Sequence, residues 1–307
     1  MRHTTLKQLR SLAAVIRTGT VTAASNEMNV TPPAITAQVK ALEDLVGIPL
    51  IERVGDRFKP TAAGEEIATT LARIEALLSE CGDALAELKD AGSGKVAIGV
   101  VSTAKYFAPK AIAAFRRERP RVDIRLFVGN REELIHALKN YEIDLAIMGR
   151  PPREFEVEAK SIGDHPQVII AAPDHPLADR DDEIDPTELA NETFLVREDG
   201  SGTRTSFEAF MVDVFHQRPP HEIEMSSNET IKQAVMAGLG IAFISAHTIA
   251  LEVEIGQLKI LKVKGLPIRR QWFVVRRTEK RLLPAATALR DFWMNKGGSF
   301  LPKVPGL

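Results

Sequence analysis

The chain has 307 residues, a net charge of −1, 44% hydrophobic residues and a single cysteine, Cys81. This length is enough for two or three domains, and the lone cysteine excludes an internal disulfide and a cluster of thiolate metal ligands. No apolar run approaches the roughly 18 residues of a membrane-spanning helix, and the amphipathic N-terminus has no secretion pattern. We therefore expect a cytoplasmic protein without a membrane partner.

Two short helices joined by a tight turn are predicted after the first amphipathic helix. Thr20 offers a hydroxyl that can cap the first of them, and Asn29 is a residue type that tolerates a left-handed turn conformation. Thr31, followed by two prolines, signals the start of the second helix, with a hydroxyl cap and prolines in the first turn. The apolar residues of this second helix recur at spacings of four, three and four, at Ile35, Val39, Leu42 and Val46.

The opposite face of the second helix indicates DNA as a partner. It carries Thr36, Gln38 and Lys40, which can reach base edges and phosphates in a groove of double-stranded DNA. Charge agrees with this interpretation, because residues 1–61 carry eight Lys/Arg against five Asp/Glu, whereas residues 62–92 carry two against seven. Positive charge is thus concentrated where a DNA backbone would lie.

The acidic segment predicts a long helix that pairs with another helix. Its apolar residues alternate at spacings of four and three over three heptads, at Ile67, Leu71, Ile74, Leu78, Cys81, Leu85 and Leu88. We expect a homodimer held by this seam, with a flexible hinge at residues 91–94. A single amphipathic helix that lies on its own domain is the alternative.

From Lys95 onward, short apolar runs alternate with helical stretches, which predicts an α/β region with largely parallel sheets. The predicted strands are residues 95–101, 122–128, 144–149, 167–172, 193–196, 222–225, 240–245 and 271–275. The predicted helices lie near residues 105–118, 131–140, 204–216, 228–237 and 282–296. Ligands of such sheets bind at the carboxyl ends of strands, so the loops after the strands are the candidate binding segments.

Polar side chains in these loops form a candidate anion site. The effector-binding candidates are Ser102, Thr103, Asn130, Arg150, Arg197, Ser201, Thr203 and Arg204. Hydroxyls, amides at helix N-termini and arginine forks favour phosphate or carboxylate groups. We expect a small anionic metabolite here; the alternative is that these residues are ordinary helix caps and surface charges.

Catalysis and metal binding have little support in the sequence. The seven histidines show no metal-ligand spacing, and His165-Pro166 and His175-Pro176 are interpreted as turns. Neighbouring carboxylates such as Glu132 and Glu133 point apart in a helix and cannot share a proton. We therefore expect no enzymatic activity, no metal and no cofactor.

Several segments resemble LysR-type transcriptional regulators, and the resemblance continues through nearly the whole chain. They are AAS at 23–25, TPPAITAQVKALE at 31–43, GIPLIER at 47–53 and PTAAG at 60–64. The resemblance implies an α/β protein with an all-α winged helix-turn-helix N-terminal domain at residues 1–61 and a dimerising linker helix at 62–91. It also implies a two-lobed effector domain like type 2 periplasmic binding proteins at 95–302. Lobe I would span about 95–163 and 268–302, and lobe II about 164–267.

At matching positions, the resemblance implies base reading by Pro33 and Thr36. It implies contacts to the DNA backbone or minor groove by Lys40 and by the wing residues Arg53 and Arg57. The family often has glutamine where Pro32 stands and arginine where Ala37 stands, so the base contacts of those side chains are not carried over.

Within this family, VSTAKYFAPK at 101–110, MGRPP at 148–152 and REDGSGTR at 197–204 are similar to the CbbR branch, the regulators of Calvin-cycle carbon-fixation operons. That branch responds to phosphorylated metabolites and reduced nicotinamide nucleotide. The resemblance implies an activator that forms a homodimer and a dimer of dimers, a homotetramer. Alternatives are a LysR-type regulator of another operon that senses a carboxylate, an enzyme or transport-type binding protein with a DNA arm, and a DNA binder that senses nothing.

Overall fold

The computed structural model describes residues 4–89, 93–215 and 221–307. The chain divides into two compact units, one up to Gly82 and the other from Asp83. Residues 91 and 92 of the predicted hinge, His216 and the side chain of Leu88 lie outside what is described. No helix in the described ranges is long and apolar enough to cross a membrane.

Helices and an antiparallel hairpin make up the N-terminal part of the chain. The elements are α1 (Leu6–Thr18), α2 (Val21–Met28), α3 (Pro32–Val46), β1 (Ile51–Val54), β2 (Arg57–Pro60) and α4 (Ala62–Lys89). The Thr20 hydroxyl accepts a hydrogen bond from the Ala23 amide, and Asn29 ends α2 with φ 54°, so both of these predicted helix boundaries are confirmed.

The predicted hydroxyl cap of α3 is wrong. Thr31 occupies the N-cap position, but its side chain makes no capping hydrogen bond. Pro33 has no N–H to offer, and the amide of Ala34 donates instead to the Thr31 carbonyl at 3.0 Å. The prolines therefore fix the start of the helix by their backbone geometry alone.

The first half of the predicted seam packs on the core of its own unit. Ile67 and Leu71 are buried in the same apolar cluster as Leu12, Ile35 and Leu42, and Leu71 is only 3% exposed. The interpretation of the whole seam as a contact between two helices is therefore wrong for this half. Further along α4, the apolar side chains are exposed, at Leu77, Leu78 and Leu85.

A mixed α/β arrangement forms the second unit. The strands are β3 (Gly94–Val101), β4 (Val122–Gly129), β5 (Leu145–Met148), β6 (Val157–Ala171), β7 (Phe194–Arg197), β8 (Glu222–Met225), β9 (Ala242–Ser245), β10 (Lys259–Ile260) and β11 (Ile268–Arg277). The helices are α5 (Ala108–Glu118), α6 (Arg131–Lys139), α7 (Gly202–Phe215), α8 (Asn228–Met236), α9 (Ala250–Glu254) and α10 (Pro284–Lys296). Of these elements, β10 and α9 had no counterpart in the sequence prediction.

The main sheet has the order β10-β6-β11-β5-β3-β4, and β9 also pairs with β6. Strand β3 is parallel to β4 and β5, and β7 is parallel to β8 in a separate pair. At the centre, however, β11 runs antiparallel to both β5 and β6, and β6 runs antiparallel to β9. The expectation of largely parallel sheets is therefore wrong for the centre of the sheet.

Strand β6 begins ten residues before the predicted start at Gln167, so His165-Pro166 is not a turn. Pro166 lies inside the strand, opposite Arg269 of β11. The early part of β6 mixes polar and apolar residues and is mostly half-buried or exposed, which hides it from a search for apolar runs. Its pairing with the long strand β11, which the sequence prediction also started late, supplies the missing support.

Separate apolar cores define two lobes in the second unit. Lobe I surrounds a core formed by residues of 96–162 and 272–293, and lobe II surrounds cores formed by residues of 168–263. Strand β6 shows how lobe II is layered, because Ile169 and Ala171 pack into one of its clusters and Val168 and Ile170 into the other. Successive side chains point to opposite faces, so both faces of the strand are buried.

Aromatic side chains pack where β6 and β11 leave lobe I. The fully buried Trp272 stacks on the His165 ring with a centroid distance of 3.8 Å, and Phe107 meets it edge-on at 5.1 Å. Trp272 Nε1 donates to His247 Nδ1 at 3.0 Å, which requires an unprotonated Nδ1. Burial lowers the pKa of His247 to about 4.

We predict that acid destabilises the second unit through this histidine. An unfolded histidine titrates near pH 6.5, whereas folded His247 stays neutral until about pH 4. The unfolded state therefore binds more protons in this window. The contribution of neutral His247 to the free energy of unfolding is fully present above about pH 6.5. It falls by about 3 kcal/mol as the pH drops toward 4. The free energy of unfolding, measured by chemical denaturation at several pH values in this range, should depend less steeply on pH for His247→Gln than for wild type. The exposed His136→Gln should show the same pH dependence as wild type. Parallel profiles for wild type and His247→Gln would contradict the assignment.

We predict that the exposed part of α4 holds a dimer. Leu78 is 52% exposed in one chain, and an aspartate there would place an unpaired charge in a helix–helix contact at a cost of several kcal/mol. Leu78→Asp should lower the mass measured by light scattering. Leu251→Asp is the control, because Leu251 is 63% exposed on another helix and should leave the mass unchanged. A Leu78→Asp protein with wild-type mass would refute the seam.

Candidate functional site

Helix α3 presents the predicted base-reading side chains on its exposed face. Pro33, Thr36 and Lys40 are exposed, whereas Ile35 and Val39 of the same helix are buried. The Thr36 hydroxyl donates to the Pro32 carbonyl at 3.2 Å, which leaves the oxygen free to accept a hydrogen bond from outside. The apolar face of α3 thus packs on the core, and the face with small and polar side chains is exposed to solvent.

The two predicted wing residues lie on the β1–β2 hairpin. The Arg53 side chain is 70% exposed, and its Nε donates to the Gly55 carbonyl at 3.1 Å. Arg57 is exposed, but its stem lies against Gly19, where a Cβ atom would come within 3.3 Å of Arg57 Cδ. Gly19 also has φ 77°, so a glycine is favoured here both by the backbone conformation at the helix end and by the packing of the Arg57 side chain.

A cavity of about 230 Å³ lies between lobes I and II of the second unit. Six of the eight predicted effector-binding residues line it: Ser102, Thr103, Asn130, Arg150, Ser201 and Thr203. Residues that sequence reasoning missed also line it, among them Arg131, Arg153, Glu154, His165, Gln167 and Arg270. The loops after β3, β4 and β5 were correctly located, but β6 and β11 contribute from inside a strand.

Two helix N-termini, one from each lobe, contribute to the cavity wall. Asn130 caps α6 by accepting from the Glu133 amide at 3.0 Å, and Ser201 precedes the start of α7 at Gly202. Amides at such positions carry partial positive charge and bind anions. Gly200 allows the close approach of the lobes, because its φ is 78° and a Cβ atom there would come within 2.5 Å of Glu132 Oε2.

Four arginines line the cavity, and none forms an ion pair among the described residues: Arg131, Arg150, Arg153 and Arg270. Arg131 Nε is buried without a hydrogen-bond partner. Burial lowers the pKa of both Arg131 and Arg270, and the charge of Arg150 lowers each further. Cations that repel one another in a partly buried space favour an anion with more than one negative charge.

Hydrogen bonds join the two lobes beside the cavity. Glu229, in the first turn of α8, accepts from Tyr106 Oη at 2.5 Å and from Lys105 Nζ at 2.7 Å. Burial raises the pKa of Glu229, but hydrogen bonds from Lys105, Tyr106 and the main chain outweigh burial and lower this pKa to about 2. These contacts link the two lobes, and Glu229 pairs with Lys105 and Tyr106 and not with the arginines of the cavity.

Arg197 was also predicted to bind the effector, but it does not line the cavity. Its side chain is only 2% exposed and forms a two-pronged contact with Glu198 at 2.6 and 2.7 Å. Its Nη1 also donates to Asn228 Oδ1 at 2.7 Å and to Ser102 Oγ at 3.2 Å. Arg197 thus orients Ser102, a residue of the cavity wall, while Glu198 neutralises its charge.

Arg204, the other predicted arginine of this loop, does not line the cavity either. Its guanidinium binds Glu208 at 2.9 Å and Glu222 at 3.0 Å, and it donates to the Arg197 carbonyl at 3.2 Å. Glu208 is one turn further along α7, a pair that the spacing of four residues could have indicated. Glu222 comes from β8, and the sequence around Arg204 gives no indication of that contact. These contacts stabilise the junction of β7, β8 and α7.

His165 and Gln167 form a neutral, polar part of the cavity wall. Burial, followed by the nearby His247 and Arg270, holds the pKa of His165 well below its usual range. Its Nε2 lies 2.8 Å from Gln167 Nε2 and 3.0 Å from Ser245 Oγ. In the described part of the chain, no group of three His, Cys, Asp or Glu residues could hold a metal ion.

Comparisons with known proteins agree with this geometry. Residues 6–65 match the family model "Bacterial regulatory helix-turn-helix protein, lysR family", and residues 89–296 match "LysR substrate binding domain". The chain is 52% identical to the HTH-type transcriptional regulator CbbR of Xanthobacter flavus over 99% of its length and 91% of that protein. It is 44% identical to the RuBisCO operon transcriptional regulator of Allochromatium vinosum, over 96% of this chain and 97% of that one.

Solved structures show the same likeness. The regulatory domain of Synechocystis PCC6803 CcmR in complex with 2-PG is 36% identical, with a TM-score of 0.62 over 66% of this chain and 96% of that one. Full-length CbnR in complex with its target DNA is 20% identical, with a TM-score of 0.64 over 95% and 99%, and shows the fold. The chain, with its helix-turn-helix and its two-lobed α/β region, belongs to the LysR family of DNA-binding transcriptional regulators.

Proposed function

We propose that this protein activates a carbon-fixation operon, the Calvin-cycle genes that include RuBisCO, when a small phosphorylated anion binds in the cavity. Its identity of 38–52% to CbbR proteins and RuBisCO operon regulators supports the choice of operon. The group of unpaired arginines supports the choice of ligand. In this proposal residues 1–61 read the operator, the exposed part of the linker helix in residues 62–91 holds the homodimer and residues 95–302 sense the anion. Two dimers associate to span the operator.

The charge of the cavity favours a phosphorylated ligand over a simple carboxylate. Four arginines and one carboxylate, Glu154, line it, which leaves three positive charges. A compound with a phosphate and a carboxylate carries up to three negative charges, which matches this net charge. The CcmR domain, 36% identical, was solved with 2-PG, and 2-phosphoglycolate has this chemistry. A regulator of another operon that senses a monocarboxylate would leave most of this charge uncompensated.

Binding would draw the lobes together. The N-terminus of α6 belongs to lobe I and that of α7 to lobe II, so an anion between them is attracted by both. Closure stabilises one arrangement of the lobes by the difference in affinity between the open and closed states. In the oligomer, this shift changes the spacing of the DNA-binding units and hence the contacts made on the promoter.

We propose a binding role for the cavity rather than an enzymatic one. His165 and Ser245 lie at the 3.0 Å spacing of a base and a nucleophile, which would favour a hydrolase. Ser245, however, is completely buried and does not line the cavity, so a ligand there does not meet its hydroxyl. The same contact orients the His165 ring as part of a rigid wall.

We predict that Arg131 carries much of the affinity for the anion. A charge-assisted hydrogen bond contributes about 1.5–3 kcal/mol, so Arg131→Ala should weaken 2-phosphoglycolate binding by roughly 10- to 100-fold in calorimetry. Arg125→Ala is the control, because Arg125 is an exposed arginine of lobe I that does not line the cavity. Wild-type affinity in Arg131→Ala would show that the arginines are not the anion site.

We predict that Thr36 contributes to sequence recognition. Thr36→Ala should weaken binding to the operator by roughly 1–3 kcal/mol and leave binding to unrelated DNA nearly unchanged. Thr36→Ser, which keeps the hydroxyl, should retain most of the affinity. Lys40→Ala should weaken binding to both DNAs and flatten the salt dependence, because a phosphate contact carries no sequence information. Equal losses on both DNAs for Thr36→Ala would refute base reading.

A further inference from the structure

We infer that Glu154 is a built-in competitor of the effector, a carboxylate of the protein that partly neutralises the arginines of the cavity and lowers their affinity for anions. This inference rests on the proposed function of the cavity as an anion sensor. It assigns to Glu154 the control of how much effector the regulator needs before it responds.

The position of Glu154 supports this role. It is the only acidic residue among the described residues that line the cavity, and it follows directly on Arg153 in the segment after β5. Its Oε2 accepts a hydrogen bond from the Arg153 amide at 2.6 Å, which fixes the carboxylate at the cavity wall. No arginine side chain comes close enough to form an ion pair with it among the described residues, so its influence acts through space.

The charge of Glu154 is maintained by its surroundings. Hydrogen bonds from main-chain amides, first its own and then that of Arg153, lower the pKa of the Glu154 carboxyl, and the charges of Arg131 and Arg150 lower it further. In return, Glu154 is the group that raises the pKa of Arg131 against the effect of burial. The carboxylate of Glu154 is thus ionised. In the absence of effector it interacts favourably with the charge of Arg131, the same charge that attracts the effector.

An entering anion replaces this interaction with its own. It is attracted by the arginines and repelled by Glu154, and the repulsion grows with the number of negative charges on the ligand. The carboxylate is exposed, so solvent and salt screen the effect to a modest size. We expect a change in affinity of about 3- to 10-fold on removing this one charge, because the interacting groups lie in a partly enclosed space. Glu154 would therefore set the sensitivity of the sensor and not its ability to bind.

The neighbouring Glu156 provides a matched control. It is exposed in the same segment, two residues further on, but does not line the cavity. Glu154→Gln and Glu156→Gln remove the same charge and change the side-chain shape equally. Glutamine at position 154 also keeps an oxygen that can accept from the Arg153 amide, so the local backbone bond is preserved.

The test is calorimetry of the full-length wild type and both variants with 2-phosphoglycolate and with inorganic phosphate. Glu154→Gln should bind 2-phosphoglycolate about 3- to 10-fold more tightly than wild type, and phosphate with a smaller gain. The gain should shrink when the salt is raised from about 0.05 to 0.5 M, since screening acts on interactions between exposed charges. Glu156→Gln should stay within about twofold of wild type for both ligands.

Each other result overturns the inference. If Glu154→Gln binds 2-phosphoglycolate with unchanged affinity, the carboxylate does not compete. If it binds more weakly while its melting temperature equals that of wild type, Glu154 supports the ligand or an arginine. An equal gain in Glu156→Gln would assign the effect to net charge. A wild type that binds neither probe would refute the proposed function itself, and the inference with it.

Discussion

The pairing of β6 with β11 is the constraint on which the second unit depends. The two strands run antiparallel from Val157 opposite Arg277 to Gln167 opposite Ile268. The chain beyond this ladder enters lobe II, while the other ends of both strands belong to the sheet of lobe I. Because each strand serves both lobes, the ladder fixes which side chains stand between them.

Cavity residues follow directly from this register. His165 lies opposite Arg270, so a neutral imidazole and a guanidinium occupy neighbouring positions in the cavity wall. The His165 ring leaves no room for a side chain at position 149, because a Cβ atom on Gly149 would come within 2.6 Å of His165 Nδ1. The sheet therefore supplies a rigid floor, and the loops with their helix N-termini supply the charged walls.

Much of the fold could be predicted from the sequence, because caps and apolar periodicity are local signals. Thr20 and Asn29 mark the ends of α2, and the strand runs in lobes I and II stand close to their predicted places. Only the apolar end of β6 was found in this way, and its first ten residues were missed, because they pair with β11, about a hundred residues later. The same distance in sequence explains why the parallel expectation was wrong.

The candidate site was predicted in part for a related reason. Hydroxyls and amides in loops after strands can be placed by topology, and Ser102, Asn130 and Thr203 do line the cavity. Whether an arginine faces a ligand depends on where the carboxylates lie. Arg204 pairs with Glu222, which lies 18 residues later in the sequence, whereas Arg131 forms no ion pair among the described residues.

The stacking of Trp272 on His165 gives the molecule an optical probe of its own cavity. The sequence contains two tryptophans, and the second, Trp293, is buried in the core of lobe I. Indole emission responds to charges and to the orientation of groups stacked on the ring. A ligand that displaces His165 or adds negative charge beside it would change the light emitted by Trp272. Occupancy of the cleft could then be followed in the unlabelled protein, on DNA or free in solution.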